Sequence, residues 1–275
     1  MKMTTDLPVP KMTDPLNESQ VIESLLRTIS PSRLSLFLQC RLKFWFRYVA
    51  RLPKQKSAAL HLGSTVHAVL KVWNKARWRN TPLTLKQLHD EYANAWMDQS
   101  IDPIPWEDGQ EETEKVTGWR LVETYIRESK IPPDLRPDAV EVPAEADLAE
   151  HGLPNLIGVL DLVQGGVIID YKTSGQTPHA ERSIHIHEIQ TTSYSVLYRA
   201  STNKREAGIE IHTLVKLKTP KLFITAAPPV TTQQRDRLFH LIEAYQSGMS
   251  RRDFIPSPGM HCSACEFFNE CRAWS

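Results

Sequence analysis

Apolar residues recur at helical spacing up to Ile131-Pro132-Pro133 and largely in alternation after it, so the chain changes character near its middle. Asn17 can cap a helix through about Ile29. Ser30-Pro31 then sets a capping hydroxyl and a first-turn proline ahead of a second helix, which the pattern carries over residues 34–49. After the break at Pro53, Gly63-Ser64 opens a third helix with Val66, Val69, Leu70 and Trp73 on one face. Thr84 starts a fourth, and residues 106–108 start a fifth. Short, alternating, β-branched runs follow at residues 139–148, 156–163 and 167–173, the last two joined by a turn at Gly165-Gly166. A helix over residues 186–200, strands at 209–216 and 221–227, and a helix over 232–247 lead to a Cys-rich tail. The order is a helical front, a sheet through the middle and flanking helices, which predicts an α/β or α+β fold.

The chain has 275 residues, enough to bury a core without disulfide staples. Its 41% apolar and 24% charged residues exclude wholesale disorder. No apolar run approaches the ~20 residues of a membrane span, and the first residues lack the hydrophobic stretch of a signal peptide. A soluble, cytoplasmic protein without a membrane partner is therefore expected. A net charge of +1 conceals segregation. Between Ser24 and His89 stand 13 Lys/Arg and no acid, whereas between Asp90 and Glu150 stand 17 acids and 5 Lys/Arg. The basic stretch is interleaved with Phe37, Phe44, Trp45, Phe46, Tyr48, Trp73 and Trp78. Cations for phosphates with flat faces for bases would suit single-stranded nucleic acid. Helices with a solvated basic face and a buried aromatic face would produce the same pattern without a partner.

The most informative segment is GVLDLVQGGVIIDYKTS. Asp170 and Lys172 are two apart on a strand and so share a face, and the Gly-Gly hairpin can bring Asp161 beside them. Acids and a lysine in apolar strands are costly unless paired or bound to a metal. Two carboxylates converging on a divalent cation, with an ammonium aimed at the same place, suit phosphodiester hydrolysis. A plain Asp170–Lys172 surface ion pair is the alternative. His67 can complete a metal shell, and an imidazole favours Mn over Mg more than oxygen donors do. Gln190 and Tyr194, four apart, lie on one helical face.

Cys262, Cys265 and Cys271 form C-x2-C-x5-C near the end, and Cys40 stands alone far upstream. Four thiolates make a complete set for zinc or for an iron–sulfur cluster, and spacing does not choose between them.

In this order, His67 in GSTVH, Asp161 in GVLDL, Asp170-Tyr171-Lys172 in IDYKTS, and Gln190 with Tyr194 in QTTSY resemble the PD-(D/E)XK nuclease superfamily, and specifically its RecB-like branch. That resemblance implies a restriction-endonuclease-like αβββαβ core behind a helical N-terminal region. It implies metal binding by His67, Asp161 and Asp170, assistance to the attacking water by Lys172, and DNA contacts from Gln190 and Tyr194. Leu160 stands where many members carry proline. Glu141 stands where an acid often lies on the first strand, and its role stays unassigned. One cysteine before the core and three after it resemble the iron–sulfur nucleases, the AddB-type subunits and the CRISPR-associated adaptation exonuclease. This implies a 4Fe–4S cluster held by Cys40, Cys262, Cys265 and Cys271 as a C-terminal clasp.

The expected organisation is a flexible tail and first helix (1–29), a helical front with the basic aromatic surface (30–135), the nuclease core (136–255) and the clasp (256–275). The implied activity is Mg- or Mn-dependent exonucleolytic cleavage of DNA, single-stranded by preference and 5′ to 3′. The implied setting is repair and recombination or CRISPR spacer acquisition. No phosphate loop of the G-x-x-x-x-G-K-[ST] type is present, so duplex unwinding would call for a helicase, and spacer acquisition for CRISPR integration partners. A non-catalytic iron–sulfur adaptor for single-stranded nucleic acid is the rival from another class, and a zinc-stapled RNA-processing enzyme is a third.

Overall fold

The structure, a computed structural model, describes residues 15–54, 56–98, 104–132 and 134–274. Residues 1–14, part of the flexible tail expected within 1–29, lie outside the described residues. The elements in chain order are α1 (Pro15–Arg27), β1 (Thr28–Ile29), α2 (Pro31–Gln39), α3 (Arg41–Phe44), a π turn (Trp45–Val49), α4 (Ala58–Trp78), α5 (Leu85–Met97) and α6 (Gln110–Glu128). Then come β2 (Ala139–Ala146), β3 (Asn155–Gln164), β4 (Val167–Ser174), α7 (Ala180–Ile186), α8 (Glu188–Thr202), β5 (Gly208–Val215), β6 (Lys221–Ala227), α9 (Thr232–Ser250) and α10 (Phe268–Ala273). The fold is mixed α/β. None of the described helices is long and apolar enough to cross a membrane.

The chain divides into two compact units. The first holds the described residues of Met1–Lys54, Asp147–Leu156 and Phe239–Ser275, and the second those of Gln55–Ala146 and Ile157–Leu238.

In the first unit, Ser30 caps α2 by accepting the Arg33 N–H at 3.4 Å, with Pro31 in the first turn, as the sequence predicts. The single helix expected over residues 34–49 is instead broken at Cys40. This residue is extended (φ −159°, ψ 110°), and its sulfur caps α3 by accepting the Lys43 N–H at 3.5 Å. The following turn is wound as a π helix, with Ala50 N–H donating to Trp45 O at 2.8 Å. The aromatic residues of this stretch are core. Phe37, Phe44, Trp45 and Phe46 are all buried, and Phe37 and Phe44 meet Tyr245 of α9 edge-on at 5.0 and 5.8 Å. The expected aromatic surface is thereby corrected: apolar burial has claimed the rings, and Tyr48 alone of those in this unit is partly exposed.

In the second unit, α4 begins at Ala58, five residues before the position expected, because Ser57 accepts the Leu60 N–H at 3.2 Å. Thr84 caps α5 as expected, with Gln87 completing a capping box. Leu62, Val66, Val69, Leu70 and Trp73 of α4 join Tyr92 and Trp96 of α5 and Leu121, Val122 and Tyr125 of α6 over one face of the sheet. At about 1.5–3 kcal/mol for each large apolar side chain buried, this contact fixes α4 on the sheet. Gly63 permits a close approach there, since a Cβ at that position would stand 3.1 Å from Thr173 Oγ1 on β4.

β3 and β4 form the expected hairpin. Gly165 and Gly166 both take positive φ (59° and 75°), as a two-residue turn of this kind requires. The ladder pairs Gln164 with Val167 through to Leu162 with Ile169. β4 and β5 are parallel along their whole length, and β5 and β6 are antiparallel. Parallel neighbours need a crossover, which α7 and α8 supply. The helix expected over residues 186–200 is α8, whereas α7, ahead of it, was not anticipated; His187 stands between them.

Candidate active site and cysteine pocket

Ile169 and Tyr171 of β4 point into the α4–α6 core, so strand alternation sends Asp170 and Lys172 to the other face. Asp170 is 1% exposed, and its Oδ2 lies 2.6 Å from Lys172 Nζ. The contact is a close ion pair without hydrogen-bond alignment, so this buried oxygen lacks a formal hydrogen-bond donor. One step beyond the last ladder pair, Asp161 on β3 reaches β4 through its side chain and accepts the Tyr171 N–H on Oδ2 at 3.1 Å. His67, from α4, places Nδ1 3.6 Å from the same oxygen. Asp161, Asp170, Lys172 and His67, predicted from distant parts of the sequence, therefore belong to one neighbourhood of the second unit.

The electrostatics of this neighbourhood suit cation binding. Burial, and then the Asp170 carboxylate, push the Asp161 carboxyl up to about 7, against the pull of the Tyr171 N–H and Lys172. Burial holds the His67 imidazole below its ordinary value, although Asp170 opposes this, and so keeps it in the neutral form that ligates metals. Gln190 and Tyr194 lie together on α8, where Gln190 Nε2 donates to Tyr194 Oη at 2.8 Å. Burial raises the Tyr194 hydroxyl, with Asp170 and Asp161 adding to the effect, which places it within electrostatic reach of both acids.

Two further residues belong here. Glu141, left unassigned from sequence, adopts φ 51° inside β2 and pairs with Lys71 of α4 at 3.3 Å. A left-handed glutamate inside a strand costs energy and kinks it. Its carboxylate also acts to raise both His67 and Asp161, which puts it beside them. His67, Lys71, Glu141 and Lys172 line one open cleft. His187 was missed: burial lowers its imidazole, as does Lys172, with Asp170 opposing. Its spacing with Gln190 and Tyr194 (i, i+3, i+7) was the available signal.

The donor set of two carboxylates and a neutral imidazole fits Mg2+ or Mn2+, and the buried Asp170 carboxylate, whose charge the Lys172 ammonium offsets, is one that such an ion would share. Among the described residues, no three His, Cys, Asp or Glu side chains are placed as a ready-made ion cage.

In the first unit, Cys40, Cys262, Cys265 and Cys271 line one pocket walled by Phe46, Phe267 and Phe268. Burial raises the Cys271 thiol, and the other three cysteines add to the effect. None is in a disulfide. Cys40 Sγ takes the Lys43 N–H, and Cys262 Sγ takes the Gly259 N–H at 3.4 Å. The two stretches that supply the cysteines are also joined by Lys43 to Glu266 at 2.7 Å, Arg41 to Asp253, and Leu42 N–H to Ile255 O at 3.0 Å. Four thiols in an apolar pocket with N–H donors to sulfur fit a thiolate-held centre.

A family model for the PD-(D/E)XK nuclease superfamily matches residues 28–272. Among solved structures, a proposed exonuclease from Eubacterium rectale aligns at a TM-score of 0.57 and 14% identity, covering 96% of this chain and 94% of its own. SSO0001 aligns at a TM-score of 0.36 and 13% identity, over 88% of this chain and 95% of its own, too low a score to carry an argument. No curated protein matches. The Eubacterium likeness extends to the fold, and the family model spans both units. The chain belongs to the PD-(D/E)XK nuclease superfamily.

Proposed function

We propose that this nuclease is a metal-dependent DNA exonuclease of the RecB-like branch. The observation that carries the proposal is Asp161, Asp170, Lys172 and His67 meeting beside an open cleft of the second unit. His67, Asp161 and Asp170 would hold Mn2+ or Mg2+, which when bound supplies phosphoryl polarisation and an acidified water. Lys172 holds its ammonium against Asp170, from where it orients the attacking water and offsets the charge that develops on the phosphate. Gln190, whose amide holds the buried Tyr194 hydroxyl, would meet the DNA from α8, with Tyr194 behind it. Asp161, with its carboxyl near 7, gives up a proton as the site loads.

A preference for single strands and 5′-to-3′ polarity follow from the family resemblance, since the rings expected to stack bases are interior. The exceptions are the partly exposed Tyr48 and Trp78, the latter 44% exposed beneath the Arg136 guanidinium at 4.8 Å. Linear single strands labelled at either end, linear duplex and closed single-stranded circles, each incubated with protein and Mn2+, test the proposal. Degradation of linear single strands from the 5′ end, with circles intact, is expected. Equal cutting of circles would make the enzyme an endonuclease.

The cysteine pocket would hold a 4Fe–4S cluster through Cys40, Cys262, Cys265 and Cys271. Its role would be structural, because phosphodiester hydrolysis transfers no electron. Protein purified without air is expected to be brown, with about four iron and four sulfide per chain, and Cys271→Ser should lose the colour and most of the iron. One zinc per colourless chain would exclude the cluster.

A further inference from the structure

Tyr171 stands between Asp170 and Lys172 and points the opposite way, into the core of the second unit, where it is 2% exposed. A phenylalanine would fill that space without a buried hydroxyl. The hydroxyl instead accepts from Asn74 Nδ2 of α4 at 2.9 Å and lies 3.4 Å from Tyr125 Oη of α6. The chain of polar groups continues both ways. Tyr125 Oη is 3.0 Å from His212 Nδ1 of β5, and His212 Nε2 is 2.7 Å from Glu210. Asn74 Oδ1 accepts from Arg77 Nη1 at 2.7 Å, and Arg77 Nη2 donates to Gln164 of β3 at 2.8 Å. Buried polar groups are costly unless every partner is in place, so such a network tolerates one arrangement of its members.

The network converges on the residue that touches the rest of the site. The Tyr171 N–H holds Asp161, and the His67 ring packs perpendicular to the Tyr171 ring at a centroid distance of 5.7 Å. Its chain neighbours are Asp170 and Lys172. Asn74 and His67 lie on one helix, so the bond from Asn74 to Tyr171 also fixes His67 along β4. We infer that Tyr171 is a positioning residue: its buried hydroxyl, held by Asn74 and Tyr125, sets the spacing of His67, Asp161 and Asp170 and thereby the affinity for the divalent cation. The inference rests on the metal site proposed above.

The test is Mn2+ binding in the absence of DNA, read by the electron paramagnetic resonance signal of free Mn2+, for the parent, Asp161→Ala, Tyr171→Phe and Tyr125→Phe. Asp161→Ala is expected to lose binding. Tyr171→Phe should weaken it about tenfold, the scale at which groups that orient metal ligands act, with cutting recovered at saturating Mn2+. Tyr125→Phe, which keeps the bond from Asn74, should weaken it about threefold. If Asp161→Ala loses Mn2+ while folded Tyr171→Phe or Tyr125→Phe binds like the parent, the positioning role is overturned and the metal site stands. If Asp161→Ala binds like the parent, the metal site itself falls and this inference with it.

Discussion

Asp170→Asn is expected to lower the rate of DNA cutting by at least about a thousandfold, a loss on the scale of removing a charged group that acts on the transition state. The substitution keeps the shape of a side chain that is 1% exposed, so the fold should survive. What it removes is the carboxylate charge that pairs with Lys172 and that would bind the metal ion. The ammonium of Lys172 then has no fixed anion to hold it toward the phosphate. Single-turnover cutting with Mn2+, alongside circular dichroism to confirm folding, checks the prediction. Activity within tenfold of the parent would remove Asp170 from the site.

The second large effect has the opposite sign on stability. Asp161→Asn should stabilise the metal-free protein at pH 8 while abolishing cutting. In the folded chain the carboxyl of Asp161 sits at about 7, against 3.8 as the unperturbed value. Well below 3.8 it is protonated in both states and costs nothing. As the pH rises toward 7 the unfolded carboxyl ionises first, and above 7 the folded state carries the full penalty of a buried carboxylate beside Asp170. The distance between those two values sets a ceiling of about 4 kcal/mol on the penalty, and roughly half of that would still raise the melting temperature by about 5 °C. An asparagine retains the oxygen that accepts the Tyr171 N–H. The gain should fade as the pH is lowered toward 4. It should reverse when Mn2+ is added, because the ion stabilises only the chain that binds it. His61, His67 and His187, all held low by burial, act the other way and cost stability on acidification below their ordinary 6.5. The comparison of variant with parent at each pH cancels most of that background. Melting curves from pH 4 to 8 test the sign directly.

The parts of this site that were legible in the sequence are those whose information is local. Asp170 and Lys172 share a face because strands alternate, and Gly165-Gly166 forces the hairpin that returns Asp161 to them. Thr84 and Ser30 cap their helices because a hydroxyl there satisfies an otherwise free N–H. Where tertiary contacts decide, the pattern was silent or ambiguous. Nothing local marks Cys40 as extended, for every residue from Leu34 to Val49 is compatible with a helix. The kink at Glu141 has one local signature in VEVPAEA, Pro143, since a proline inside a strand marks an edge or a bulge, and it does not say which residue bends. The basic stretch allowed an open stacking face or a buried one, and burial of Phe37, Phe44, Trp45, Phe46 and Trp73 shows that the apolar core took the rings. The start of α4 went to Ser57 rather than to Gly63, whose missing side chain serves the approach to Thr173.

The most direct test of the catalytic assignment is one cutting assay. Single-stranded DNA labelled at one end is incubated with Mn2+ and either the parent protein or Asp161→Ala, both prepared without air and both shown to be folded. A metal site built on Asp161 predicts degradation by the parent and none by the variant. Equal degradation by both, or binding of DNA by both with no cutting by either, would contradict it.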